Sequence, residues 1–168
     1  RVFSEDMRVD FILFKKWYDG EHGFRPIQRR SKLTFSALTV WTQIQSIIKG
    51  SLQAFKSGKP LTREEYLAYS GRKVPFKQNE REVIYAVYER SQASYDHKYD
   101  NGDRVLQLAR RLNRKDTGWK SGIHPFDRVY VDEVQDLTPA ELALIFMAVG
   151  ENPEAVTVAG DVAQQVTA

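Results

Sequence analysis

Leu38, Trp41, Ile44, Ile48 and Leu52 recur at steps of three and four residues, which places them along one face of a helix. The pattern predicts one helix or a pair over residues 34–55, because Gly50 sits where it can bend or interrupt the backbone. Ser57-Gly58-Lys59-Pro60 ends the segment. Met7, Phe11, Leu13, Phe14 and Trp17 follow similar spacing and predict an earlier helix over residues 3–18, stopped by Asp19-Gly20. Leu61-Thr62-Arg63-Glu64-Glu65 reads as a capping box with Leu61 placed as a staple, opening a short helix to residue 70. Asn79 is placed to cap a longer helix to residue 94, with Val83, Ile84, Val87 and Tyr88 on its buried face. Val105, Leu106, Leu108 and Leu112 then point inward from a helix over residues 103–113.

The period changes in the last 45 or so residues. Arg128-Val129-Tyr130-Val131 is short, apolar and β-branched, as a buried strand is, and Ala155-Val156-Thr157-Val158-Ala159 is a second such run. Between them, Thr138-Pro139-Ala140-Glu141 is a capping box with Pro at the first helical position. The helix it opens is apolar almost all round and is expected to be largely buried, with Gly150 as its stop. Two parallel strands joined by a helix bring the residues that follow each strand to one edge of the sheet. Those residues are Asp132-Glu133-Val134-Gln135-Asp136 and Gly160-Asp161. Acidic residues at the end of a buried strand are costly unless they have partners or chemistry. An Asp-Glu pair there can hold Mg²⁺ through the Asp while the Glu orients or deprotonates a water. The plainer reading is an acidic surface turn.

Val131-Asp132-Glu133-Val134-Gln135-Asp136 followed by Ala159-Gly160-Asp161-Val162-Ala163-Gln164-Gln165 resembles motifs II and III of superfamily 1 helicases of the UvrD/Rep type. Val40-Trp41-Thr42-Gln43-Ile44 and Ile48-Lys49-Gly50-Ser51 look like the eukaryotic branch that includes large tetratricopeptide- and ankyrin-repeat helicase-like proteins. The resemblance is firm over residues 126–166 and loose before them. It implies an α/β fold: part of a RecA-like P-loop NTPase domain carrying a large, mostly helical insertion of the 1B type. Residues 1–122 would be that insertion and residues 123–168 a partial RecA-like core. ATP and Mg²⁺ are the cofactors it implies, and single-stranded DNA or RNA the partner. Asp132 would coordinate the Mg²⁺, and Glu133 would be the general base or water-positioner. Gln164 would sense the γ-phosphate, and Gly160-Asp161 would form the turn that presents it. Gln135 and Asp136 would join motif II to its neighbours, although both are equally placed to cap the helix that starts at Pro139.

Departures from the family pattern bear on activity. No G-x-x-x-x-G-K-[ST] occurs in the chain: Gly58-Lys59 is followed by Pro60, with Gln53 where the first Gly should stand. The P-loop segment and the second RecA-like domain are therefore expected elsewhere in a longer parent chain, and this segment alone is expected to be inactive. The whole would be an ATP-dependent helicase or translocase. The alternatives are a catalytically inactive helicase-derived binding or interaction module within a scaffold, and a metal-dependent nuclease using Asp132, Glu133 and Asp136.

Composition narrows the classes further. The 168 residues include 42% hydrophobic and 28% charged side chains, as in ordinary globular proteins, and 12% aromatics argue against disorder. With no cysteine, disulfides and thiolate metal sites are excluded, and His22, His97 and His124 lack ligand spacing. No run is long enough to cross a membrane and no secretory signal is present, so an intracellular protein, nuclear or cytoplasmic, is expected. A formal charge of +3 permits a polyanionic partner. Arg25, Arg29, Arg30 and Lys32 form a basic cluster, which reads either as a solvated face or as a phosphate contact.

Overall fold

A computed structural model describes residues 7–69, 75–95, 98–112 and 126–161. In chain order the elements are α1 (Phe11–Asp19), α2 (Arg25–Ser31), α3 (Ala37–Gln43), α4 (Leu52–Ser57), α5 (Arg63–Ala68), α6 (Gln78–Ser94), α7 (Asn101–Leu112), β1 (Val129–Val131), α8 (Pro139–Ala148) and β2 (Val156–Val158). They fall into two compact units, one of Arg1–Ile48 with Leu61–Arg104 and one of Lys49–Pro60 with Val105–Ala168.

The described residues do not form the expected α/β, RecA-like architecture. The described residues are predominantly helical, and their one sheet has two strands of three residues each. The apolar runs that suggested strands are real, but only Val129–Val131 and Val156–Val158 pair. A layer that small cannot organise helices on two faces, as a doubly wound fold requires.

The first unit is an aromatic-lined helical assembly. Asp10 caps α1 by accepting the Leu13 N–H at 2.8 Å, and the i, i+4 pair Phe14 and Tyr18 is buried beneath it. Phe14 packs on Trp41 with ring centroids 5.1 Å apart, and Trp41 also meets Phe11. The tryptophan is thus part of an aromatic core cluster. Ala37 and Val40 of α3 and the following Ile44 are buried, so the expected stripe holds at Ile44 and Ile48, while Leu38 at its start is 57% exposed. A π-helical turn over Ile44–Ile48 continues α3 and buries Ile47 and Ile48 together. Thr62 and Glu65 make the expected capping box at α5. At α6 the first residue outside the helix is Lys77, whose N–H meets Glu80, so Asn79 lies inside the helix. Tyr66 donates to Gln43 Oε1 at 3.1 Å and Tyr85 to the Leu61 carbonyl at 3.0 Å, which satisfies two buried hydroxyls.

The second unit is built on Phe55, Ala109 and Ala140, with Val105, Ala143, Leu144 and Met147 packed around them. The chain breaks at Gly50, whose carbonyl accepts the Ala140 N–H at 2.9 Å. Ser51 then caps α4, leaving Leu52 46% exposed. Thr138 and Glu141 form the predicted capping box of α8, but Leu142, Leu144, Ile145 and Phe146 are only half-buried. Gly58 ends α4 at φ +64°, a left-handed conformation that suits glycine. Arg110 donates from Nε and Nη2 to the Gly58 carbonyl at 3.1 and 2.9 Å.

A Cβ at Gly58 would stand 2.9 Å from Arg110 Cβ on a left-handed backbone. Gly58→Ala is therefore expected to destabilise by about 1–2 kcal/mol from backbone conformation alone, and a thermal melt checks it; an unchanged Tm contradicts the packing described. Burial pushes the hydroxyls of Tyr66 and Tyr88 well above the ordinary value of 10. The folded chain then keeps these protons when the unfolded chain releases them. Stability should be fully present below pH 10 and fall as pH rises beyond it, read by denaturant titration.

Candidate functional site

β1 and β2 pair in parallel with Val129 opposite Val156, Tyr130 opposite Thr157 and Val131 opposite Val158. With α8 between them in sequence, the chain leaves both strands at the same end of the pair. Asp132 and Glu133 follow β1 directly, and Gly160 and Asp161 lie two and three residues past β2. The exit is latched by backbone: the Ala159 N–H donates to the Val131 carbonyl at 2.7 Å and the Val134 N–H to the Ala159 carbonyl at 3.0 Å. Ala159 and Val134 are the site residues that sequence reasoning assigned no role; each contributes only main-chain groups, so side-chain chemistry gave no signal.

Past the latch the acidic turn tightens. Glu133 is left-handed, at φ 52° and ψ 42°, and Val134–Asp136 form a single 3₁₀ turn closed by the Asp136 N–H on the Glu133 carbonyl at 2.9 Å. A non-glycine residue in this region costs on the order of 1 kcal/mol or more, and such outliers cluster at functional positions. Asp132 and Glu133 are both exposed, as the left-handed residue turns the chain off the end of the strand. One Asp132 carboxylate oxygen accepts the Glu133 N–H at 2.9 Å.

Gln135 ties the two turns together. Its Nε2 donates to Glu133 Oε2, and its Oε1 accepts the Asp161 N–H at 3.3 Å. The amide therefore spans from the glutamate to the loop after β2. Gly160 is needed there: a Cβ would sit 2.5 Å from Gln135 Oε1 and 2.8 Å from Val134 Cγ1. Gln135 is thus not a cap of α8; Thr138 fills that role by accepting the Glu141 N–H. Asp136 is exposed at the end of the 3₁₀ turn. Gln164 lies outside the described residues.

Among the described residues no group of three or more His, Asp or Glu converges as a metal cage. Asp132, Glu133 and Asp136 therefore do not form the carboxylate cluster that a metal-dependent nuclease needs. Asp132, exposed and with one oxygen already engaged, suits the other mode. Mg²⁺ there would take one protein carboxylate and complete its shell with phosphate and water oxygens.

Residues 13–167 match the UvrD/REP helicase N-terminal domain. The chain belongs to that family. It is also 30% identical over 174 residues to the human TPR and ankyrin repeat-containing protein 1, a match that covers 99% of this chain and 6% of that protein. The chain thus spans a small part of the length of that relative. Helicases as a class act on nucleic acid with ATP and Mg²⁺. No helix among the described residues is long and apolar enough to cross a membrane.

The strain at Glu133 gives a test that needs no activity. Glu133→Gly removes the left-handed penalty and loses an exposed hydrogen bond worth about 0.5–1.5 kcal/mol. The variant should be as stable as the parent or more so in a denaturant titration, whereas Glu133→Val should lose about 1–2 kcal/mol. Equal losses in both would mean that Glu133 is not held left-handed.

Proposed function

We propose that this chain forms the acidic half of the ATP site of a helicase, whose intact protein couples ATP hydrolysis to movement along single-stranded DNA or RNA. The observation that carries the reading is the Gln135 amide, which links the Glu133 carboxylate to the backbone of Asp161. A motor needs the residue that handles the attacking water to be tied to an element that responds to the phosphate, and this link does so in one side chain.

Asp132 would hold the Mg²⁺ that accompanies ATP. Bound Mg-ATP supplies the phosphoanhydride that is cleaved. Glu133, exposed beyond the end of β1, orients the attacking water and accepts its proton as general base. Gln135 fixes the direction of that carboxylate, which a left-handed backbone alone would not. Gly160 and Asp161 shape the turn that leads to Gln164, the residue proposed to sense the γ-phosphate. The phosphate-cradling loop comes from another part of the parent protein.

A second reading is favoured by one observation: the chain's Gly-Lys pair is no phosphate cradle. The Gly58 N–H meets Phe55 and its carbonyl is held by Arg110, so the pair serves as a helix cap. If the parent lacks a P-loop altogether, the domain is a binding or interaction module in a scaffold.

ATP hydrolysis by the full-length protein, with and without a single-stranded oligonucleotide, separates the two. Strand-stimulated hydrolysis should appear and fall by about 10²–10⁴-fold in Glu133→Gln. Hydrolysis absent from both forms would favour the scaffold, and hydrolysis insensitive to strand and to the substitution would contradict the motor.

A further inference from the structure

From His22 to Arg63 the chain contains eight Lys or Arg, while all 22 Asp and Glu lie outside that stretch. A formal charge of +3 therefore hides a strong segregation. Four of the eight, Arg25, Arg29, Arg30 and Lys32, fall on α2 and its C-terminal cap, and all four are exposed. Among the described residues none of them is ion-paired, although Lys15 pairs with Asp19 and Arg63 with Glu82 in the same unit. The base of the patch is fixed. Phe24, buried, stacks on Tyr18 with centroids 4.8 Å apart, and Arg90 of α6 donates to the His22 carbonyl at 2.6 Å.

Helix stability does not account for this arrangement. Cations at Arg29, Arg30 and Lys32 suit the negative end of the α2 dipole, but Arg25 stands at its positive end, and the first turn has no acid to offset it. Four like charges within eight residues repel one another, so the patch is maintained at a cost to the fold. Three of the four are Arg, the side chain whose planar fork matches phosphate oxygens. Arg25 and Arg29 form a row one turn long on one helical face, roughly 5–6 Å apart, and Lys32 follows at the left-handed cap. That row suits consecutive backbone phosphates better than a single anion.

We propose that the exposed face formed by Arg25, Arg29, Arg30 and Lys32 is a contact for the sugar–phosphate backbone of a nucleic-acid strand. It reads charge and shape rather than bases, because all four side chains are cations that contact phosphate regardless of sequence. The inference rests on the reading that the parent protein acts on a strand, and names where on this chain the strand is gripped.

The test is binding of a fluorescein-labelled oligothymidylate to the full-length protein by anisotropy, from 50 to 200 mM salt. The proteins compared are the wild type, a variant carrying Arg25→Gln, Arg29→Gln, Arg30→Gln and Lys32→Gln, and one carrying Arg25→Lys, Arg29→Lys and Arg30→Lys. Each lost phosphate contact removes about 0.7 from the slope of log affinity against log salt. The glutamine variant should lose up to about 3 from that slope and bind at least tenfold more weakly at 50 mM salt, while the lysine variant keeps the slope. Unchanged slope and affinity in the glutamine variant would overturn the proposal and leave the helicase reading intact. A wild type that binds no strand would overturn both. Polyglutamate binding as tight as the oligonucleotide, and lost in the same variant, would assign the face to an acidic protein and overturn it too. A wild-type-like melt of either variant shows that the chain still folds.

Discussion

One side-chain amide holds the candidate site together. Gln135 reaches back to Glu133 and across to Asp161, so two turns separated by a helix share a single pair of hydrogen bonds. Everything around it serves that span. The parallel pairing of β1 and β2 brings the turns to one end. The latch through Ala159 sets their separation. The missing side chain at Gly160 leaves room for the amide oxygen. The capping box at Thr138 starts α8 without borrowing Gln135, which leaves that residue free to bridge.

Much of this local unit was legible in the sequence, because its determinants are local. The capping box, Pro139 and the two β-branched runs each act within a few residues. The parallel strand pair and the meeting of the two motifs follow from them. The breadth of the sheet was not legible. Strand pairing is non-local, and a motif fixes its own turn without fixing how many strands stand beside it. Among the described residues the count stops at two, and helices dominate. The left-handed Glu133 was also hidden, since no propensity places a glutamate there. Among the helices, Leu38 and Leu52 looked like core by spacing alone. The smaller Ala37 took the inward face of α3, and the break at Gly50 reset the register before Leu52.

Both regions given functional readings depart from what stability would choose. Glu133 sits in a backbone region that favours glycine. The α2 face gathers exposed cations that have no acid partner among the described residues. The structural aromatics behave differently: Tyr66, Tyr85 and Tyr18 each bury the ring and satisfy the hydroxyl on a nearby acceptor. That contrast separates residues kept for packing from residues whose placement needs another reason.

Gln135 links the acidic turn to the loop after β2. The most direct measurement is a double-mutant cycle of Gln135→Ala and Gly160→Ala, read by strand-stimulated ATP hydrolysis of the full-length protein. A Cβ at Gly160 acts chiefly by displacing the Gln135 amide, which it would approach to 2.5 Å. Each single variant should then lose activity, and the double variant should be little worse than the poorer single one. Losses that multiply would mean that the two residues act independently and that the bridge does not couple the two turns.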